Sequence, residues 1–150
     1  MPLQNIPVAN ARKVSEGVWA AGQPTPEQLG EMRAAGLRTL INLRPDRELP
    51  WDERHTAVDL GLDYVSIPIA GPADITPSAA RQLHEALNRE AKPALVHCAS
   101  SNRVGALFAL KSYFIDGQDV ETALADGRAA GLKDLEPAVR TLLTEPTASA

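Results

Sequence analysis

The chain has a single cysteine, Cys98, among 150 residues. No disulfide can close within it, which excludes the disulfide-scaffold class and points to a reducing compartment, the cytoplasm. Aromatic residues amount to 4%, so aliphatic side chains and alanine must fill the core. No apolar run reaches the length of a membrane span. Met1 to Asn10 lack the basic start and long apolar stretch of a secretory leader. No block of Lys or Arg stands out and the formal net charge is −4, which excludes bulk binding to nucleic acid or to an anionic membrane. Any anion site must therefore be local. With no second cysteine, no His-x-x-x-His pair and no Gly-rich nucleotide fingerprint, the sequence predicts neither a metal nor another cofactor.

What is present is a globular composition, 44% hydrophobic and 23% charged, on a length that suits one domain. That domain is expected over residues 1–150, with an ordered core at about 14–144 and a flexible tail at 145–150. Val14 to Ala21 reads as a short hairpin with Glu16-Gly17 at its turn. Thr25-Pro26-Glu27-Gln28 is a helix start: Thr25 caps, Pro26 suits the first turn, Gln28 completes a capping box, and Gly36 stops the helix. Arg38 to Leu43 reads as a buried strand, Arg44 to Glu48 as a charged loop, and Pro50 to Gly61 as a helix. Tyr64 to Ile67 is the next strand and Pro68 to Ile75 a loop; Thr76-Pro77 opens a helix ending near Ala91. Pro93 to His97 is a short apolar strand, followed by helices over Arg103–Ile115, Asp119–Ala130 and Leu135–Thr144. Strands separated by helices predict an α/β fold: a single domain with a mostly parallel central sheet of about four or five strands, flanked by about five or six helices.

The chemistry concentrates where the strand Ala94-Leu95-Val96 runs into His97-Cys98, a short polar loop, and Arg103 at a helix start. Sites in open α/β sheets form at the carboxyl ends of strands. A helix N-terminus there offers free backbone N–H groups and a positive dipole end. The dipole, the loop amides and the Arg103 charge all favour a thiolate at Cys98, which makes it a candidate nucleophile. The Arg103 guanidinium can fork onto two oxygens of a tetrahedral anion. Val104-Gly105-Ala106-Leu107 is expected to let that helix pack closely on the sheet. Set against this is a bland reading, in which Cys98 is a small buried apolar residue and Arg103 caps a nearby helix.

Val96-His97-Cys98 through Arg103-Val104-Gly105 resembles the signature loop of cysteine-dependent phosphatases of the dual-specificity type. More closely, it is similar to the bacterial family of beta-lactamase-hydrolase-like phosphatase-like domains. Gly22-Gln23-Pro24, Leu40-Ile41-Asn42-Leu43-Arg44 and Tyr64-Val65-Ser66-Ile67-Pro68 extend the resemblance, which spans about Val14 to Leu132. It implies a cysteine-phosphatase-like fold, with Cys98 as nucleophile, Arg103 as the phosphate-binding arginine and His97 tuning the thiolate. Together with His97 and Arg103, the loop residues Ala99, Ser100, Ser101 and Asn102 would hold the anion. Its partner would be a small anionic or phosphorylated substrate; the oligomeric state is left open.

Two departures keep other chemistry in view. Such loops usually place five residues between Cys and Arg, and here there are four, as in rhodanese-like sulfurtransferases that carry sulfur as a cysteine persulfide. Val104 stands where phosphatases usually have Ser or Thr, and Ser100 or Ser101 would have to take over. Ser101 also stands where such loops often carry Gly; a positive φ would strain it. Phosphoester hydrolysis needs a proton donor, which the resemblance puts on the loop after Ile67-Pro68, where Asp74 is the nearest acid. Asp74 reads equally as support for the following helix cap. Asp46, flanked by Arg44 and Arg47, is the second candidate acid, and Gln23 and Arg44 are possible pocket residues. His55 and His84 read as surface or boundary residues on helices, and Trp19 and Trp51 as core or rim packing. A sulfurtransferase and a non-catalytic anion-binding module are the alternatives to a phosphatase.

Overall fold

The computed structural model describes residues 6–145. Its organising element is a sheet of short strands, the two central ones of the parallel part fully buried. Those strands are β1 (Arg12–Ser15), β2 (Val18–Ala21), β3 (Thr39–Asn42), β4 (Asp63–Ser66) and β5 (Ala94–His97). They lie in the order β1-β2-β5-β3-β4. Only β1 is antiparallel to its neighbour; β2, β5, β3 and β4 pair in parallel. Helices α1 (Pro26–Ala34), α2 (Glu53–Asp59) and α3 (Pro77–Arg89) are the crossovers, and α4 (Asn102–Phe114), α5 (Val120–Ala129) and α6 (Glu136–Thr144) complete the domain. The chain is thus one α/β domain of the expected class.

A parallel sheet must be covered on both faces, and the period-2 alternation of each strand decides what goes where. On one face Val96 of β5 and Ile41 of β3 join Leu83 of α3, Leu107 of α4 and Leu124 of α5. On the other, Leu95 and Leu40 join Leu29 and Met32 of α1 and Ala57 of α2.

Several boundaries follow from local chemistry as expected. The Thr25 hydroxyl accepts from the Gln28 N–H while the Gln28 side chain accepts from the Thr25 N–H, a complete capping box. Gly17 at the hairpin and Gly36 past α1 have positive φ, 75° and 111°. Helix α2 is shorter than the expected Pro50–Gly61, because Asp52 caps it by accepting from the His55 N–H. Gly105 corrects one expectation. Its close approach is to α5 and the turn after it, not to the sheet: a Cβ there would stand 2.6 Å from the Gly127 carbonyl oxygen and collide with the Leu132 backbone. Of the tail expected at 145–150, residues 146–150 lie outside the described residues.

The register fixes the site. Ala21 and Asn42 both pair with His97, and Asn42 pairs with Ser66. The carboxyl ends of β2, β3, β4 and β5 are therefore level. Whatever follows them must meet: Gly22-Gln23, Leu43-Arg44, Ile67-Pro68 and Cys98.

Candidate active site

Cys98 is buried, 1% exposed, and its N–H donates to the Ala21 carbonyl at 3.3 Å. Strand alternation sends His97 and Cys98 to opposite faces. Cys98 belongs to the α3–α4 face, while His97 faces α2 and is fully buried. His97 therefore reaches Cys98 through the backbone, with Nδ1 3.2 Å from the Cys98 carbonyl oxygen.

Ala99 and Ser100 are exposed, and Ser100 bridges to Gly22 while Gln23 donates its N–H to the Ala99 carbonyl at 3.2 Å. A Cβ at Gly22 would come within 2.6 Å of that carbonyl oxygen, which explains the glycine. Ser101 has φ 73°, the left-handed conformation its sequence position raised as a question. The strain, about 1 kcal/mol or more, is held by Ser101 Oγ donating to the Ala130 carbonyl at 2.7 Å. Asn102 Oδ1 accepts from the Lys133 N–H at 2.8 Å, which ties the start of α4 to the turn after α5.

Arg103 is half-buried, and its donors can be counted. Nη1 and Nη2 meet the two Glu48 oxygens end-on at 3.2 and 3.0 Å. The other Nη1 hydrogen goes to the Ile69 carbonyl at 2.7 Å. Nε–H and the second Nη2 hydrogen, which share the remaining edge of the fork, have no protein acceptor among the described residues. That edge is the one left to grip an oxyanion. The Arg103 hydrogen bond, aided by its charge and by Arg44, holds Glu48 below the ordinary carboxylate value against the opposing effect of burial.

Two carboxylates organise the surroundings, and sequence reasoning assigned a role to neither. Glu48 closes a 3-10 turn, Asp46–Glu48. Glu53 opens α2 and is completely buried. Its oxygens accept from His97 Nε2 at 2.6 Å, Gln23 Nε2 at 2.7 Å and the Tyr64 hydroxyl at 3.1 Å. Burial alone would raise the Glu53 carboxyl; the His97 hydrogen bond and charge, with the Gln23 and Tyr64 donors, outweigh it and hold the group below its ordinary value. Burial, then the Glu53 charge, pushes the Tyr64 hydroxyl well up. Gln23 and Arg44, the expected pocket residues, do meet: Arg44 Nη1 donates to Gln23 Oε1 at 3.0 Å. Asp46 and Arg47 are exposed on the turn. Asp74 is exposed on the loop after β4, and its Oδ2 accepts from the Ala70 N–H at 2.8 Å. Trp19 and Trp51 pack against the α1–α2 face. His55 pairs with Asp59 on the surface at 3.1 Å. Among the described residues no three His, Cys, Asp or Glu side chains cluster as metal ligands, and no helix is long and apolar enough to cross a membrane.

Comparison with known proteins decides the family. The family described as "Beta-lactamase hydrolase-like protein, phosphatase-like domain" matches residues 10–114. This chain belongs to that family. Its relatives include the beta-lactamase hydrolase-like proteins of Agrobacterium fabrum, 31% identical over 88% of the chain, and of Xylella fastidiosa, 34% identical over 70%. The chain spans 31% and 25% of those relatives' lengths, so it corresponds to one part of those longer proteins. Solved structures show the same fold. Tk-PTP in its active form superposes with a TM-score of 0.68 at 21% identity, covering 91% of this chain and 97% of its own. P. aeruginosa TpbA, solved in complex with pTyr, gives 0.65 at 20% identity over 90% of this chain and 83% of its own. The core catalytic domain of the S. cerevisiae PP-IP phosphatase SIW14, solved with citrate, gives 0.67 at 16% identity over 96% and 91%. A phosphatase-like domain in a phosphatase fold is thus established for the chain.

Proposed function

We propose that this domain is a cysteine-dependent phosphate-monoester hydrolase. The observation that carries the reading is the open edge of Arg103, five residues after a buried cysteine at the carboxyl end of the sheet. In the forward step Cys98 Sγ, as thiolate, attacks phosphorus. The Arg103 edge and the amides of Ala99 to Asn102 hold the equatorial oxygens. The P–O bond to the leaving group breaks, and its oxygen takes a proton from Asp74. Water, giving a proton back to Asp74, then attacks the phosphocysteine; the S–P bond breaks, releasing phosphate and restoring the thiolate. Asp74 is favoured over Asp46 by its connection: its carboxylate holds Ala70, and the adjacent Ile69 carbonyl holds Arg103. A free thiol nucleophile suits a reducing compartment, and the reading places the protein in the cytoplasm.

The four-residue spacing between Cys98 and Arg103 supports a second reading. There Cys98 accepts sulfur from thiosulfate or a persulfide and passes it to a thiol, with no acid required. A paired assay separates the two. Wild type and Cys98→Ser are given an aryl phosphate in one arm and thiosulfate with a thiol acceptor in the other. Phosphate release that falls at least ~10³-fold in the variant establishes the first reading. Cysteine-dependent sulfur transfer alone establishes the second. Turnover retained by Cys98→Ser in both arms overturns both, and silence of wild type in both assigns the domain to anion binding without catalysis.

A further inference from the structure

The two ends of the cysteine loop are joined behind the sheet by one unbroken series of polar contacts. From His97, Nε2 lies 2.6 Å from Glu53 Oε2, and Glu53 Oε1 accepts from Gln23 Nε2 at 2.7 Å. Gln23 Oε1 accepts from Arg44 Nη1 at 3.0 Å, and Arg44 Nε meets Glu48 Oε1 at 3.4 Å. Glu48 then grips Arg103. The backbone from His97 to Arg103 closes the ring. Its polarity admits one arrangement. Arginine only donates and a carboxylate only accepts, so the Gln23 amide must turn its oxygen to Arg44 and its nitrogen to Glu53. The same reasoning applies to His97. Its two ring nitrogens face two acceptors, the Glu53 carboxylate and the Cys98 carbonyl. A neutral imidazole has one N–H and would leave one of these contacts acceptor against acceptor, in a site with no exposure on either side chain.

We propose that Glu53 is a positioning residue for the cysteine loop: it holds His97 in its doubly protonated form at the Cys98 carbonyl and, through Gln23, Arg44 and Glu48, sets the Arg103 fork. Charges around the ring alternate, positive at His97, Arg44 and Arg103 and negative at Glu53 and Glu48. One positive charge is left over, and it matches the thiolate. Breaking the ring at Glu53 removes the partner of the buried imidazolium, which then loses a proton because a lone buried charge costs too much. The one N–H that remains can serve only one of the two contacts, and the positive charge behind the Cys98 carbonyl is lost. The other groups packed around His97 do not replace Glu53. Tyr64 donates to Glu53 itself, and Arg54 lies over the Tyr64 ring, 4.8 Å from its centroid.

The inference rests on the reading of Cys98 as a thiolate nucleophile, and its test is independent of turnover. The full chain, as wild type, Glu53→Gln and Gln23→Ala, is examined for His97 ring ¹⁵N shifts at neutral pH. Cys98 alkylation is followed with neutral iodoacetamide and anionic iodoacetate. Wild type is expected to show both ring nitrogens protonated. Glu53→Gln is expected to show one, with alkylation by iodoacetamide slowed about tenfold at neutral pH. Gln23→Ala, cut on the Arg103 side of Glu53, is expected to keep both ring protons and the iodoacetamide rate. It loses part of the preference for iodoacetate, which needs the Arg103 fork. A singly protonated His97 in wild type overturns the proposal, as does a folded Glu53→Gln with unchanged alkylation. Should Glu53→Gln fail to fold, the wild-type spectrum and Gln23→Ala still decide. Absence of phosphatase activity alongside the expected results would sink the hydrolase reading and leave this one standing.

Discussion

The cysteine loop and the loop after β4 leave the same edge of the sheet and flank the same arginine, yet they are held in opposite ways. From Ser101 to Arg103, each residue of the cysteine loop is fixed from a distance: Ser101 by Ala130, Asn102 by Lys133, Arg103 by Glu48 and Ile69. The loop after β4 is held mostly by itself. Asp74 accepts from Ala70 four residues away, and its N–H donates to Gly71 at 3.0 Å. A cradle for an anion must present donors in fixed positions before the ligand arrives, because reorganisation would cancel the gain. A proton donor has only to reach the leaving group, so short-range support is enough. The difference matches the proposed division, in which one loop binds the anion and the other delivers the proton.

This comparison can be broken or sharpened by substitution. The largest effect is expected from Asp74→Asn. With an alkyl phosphate, whose leaving oxygen needs a proton, kcat should fall about 10²-fold. With p-nitrophenyl phosphate, whose leaving group needs little help, kcat should barely change. An equal fall on both substrates would remove Asp74 from the proton-transfer role. Gly131→Ala comes next. Gly131 has φ 112°, and a Cβ there would lie 2.6 Å from the Ser101 Cβ. Denaturant unfolding should show a loss of about 2 kcal/mol. A smaller effect should appear in the pH dependence of stability. Glu53 is held below its ordinary value of 4.5, so it stabilises the fold where the unfolded carboxyl is already ionised. That contribution is lost as pH falls from about 4.5 through the lower folded value. Thermal melts from pH 7 to pH 3 should therefore fall less steeply in Glu53→Gln. The smallest effect is expected from Ser101→Gly. Relief of the positive φ, about 1 kcal/mol, is offset by loss of the hydroxyl bond to Ala130, also about 1 kcal/mol. Melting should barely move, and a large stabilisation would show that the hydroxyl bond contributes nothing.

The parts of the site legible in the sequence are those specified locally. A short apolar strand, a cysteine, a polar loop and an arginine at a helix start are neighbours in the chain and stay neighbours in space. Gln23 and Arg44 were legible as pocket candidates because they follow strands, and parallel register brings strand ends level. Glu53 and Glu48 were not. Their partners at the cysteine loop, His97 and Arg103, lie 44 and 55 residues away, and Trp51-Asp52-Glu53-Arg54 reads as an ordinary helix start with acidic first-turn residues. Nothing local marks Glu53 as buried, since burial of an acid depends on which donors the fold delivers. Gly105 departs from expectation for a similar reason. Its spacing marks a close approach but not the surface approached, and α5 supplies that surface in place of the sheet.

The hooks on Ala130 and Lys133 have a consequence for portability. The family match ends at residue 114, within α4, and every proposed catalytic residue lies before that point. A chain shortened to that boundary would keep Cys98, Arg103, the buried Glu53 and the partly buried Glu48. It would lose the carbonyl that restrains Ser101, the amide that orients Asn102 and the backbone on which Gly105 is seated. The chemistry of this domain is therefore not transplantable with the matched segment alone. Whoever moves it into another protein must carry α5 and the turn after it as well, because they are the mould in which the cradle is set.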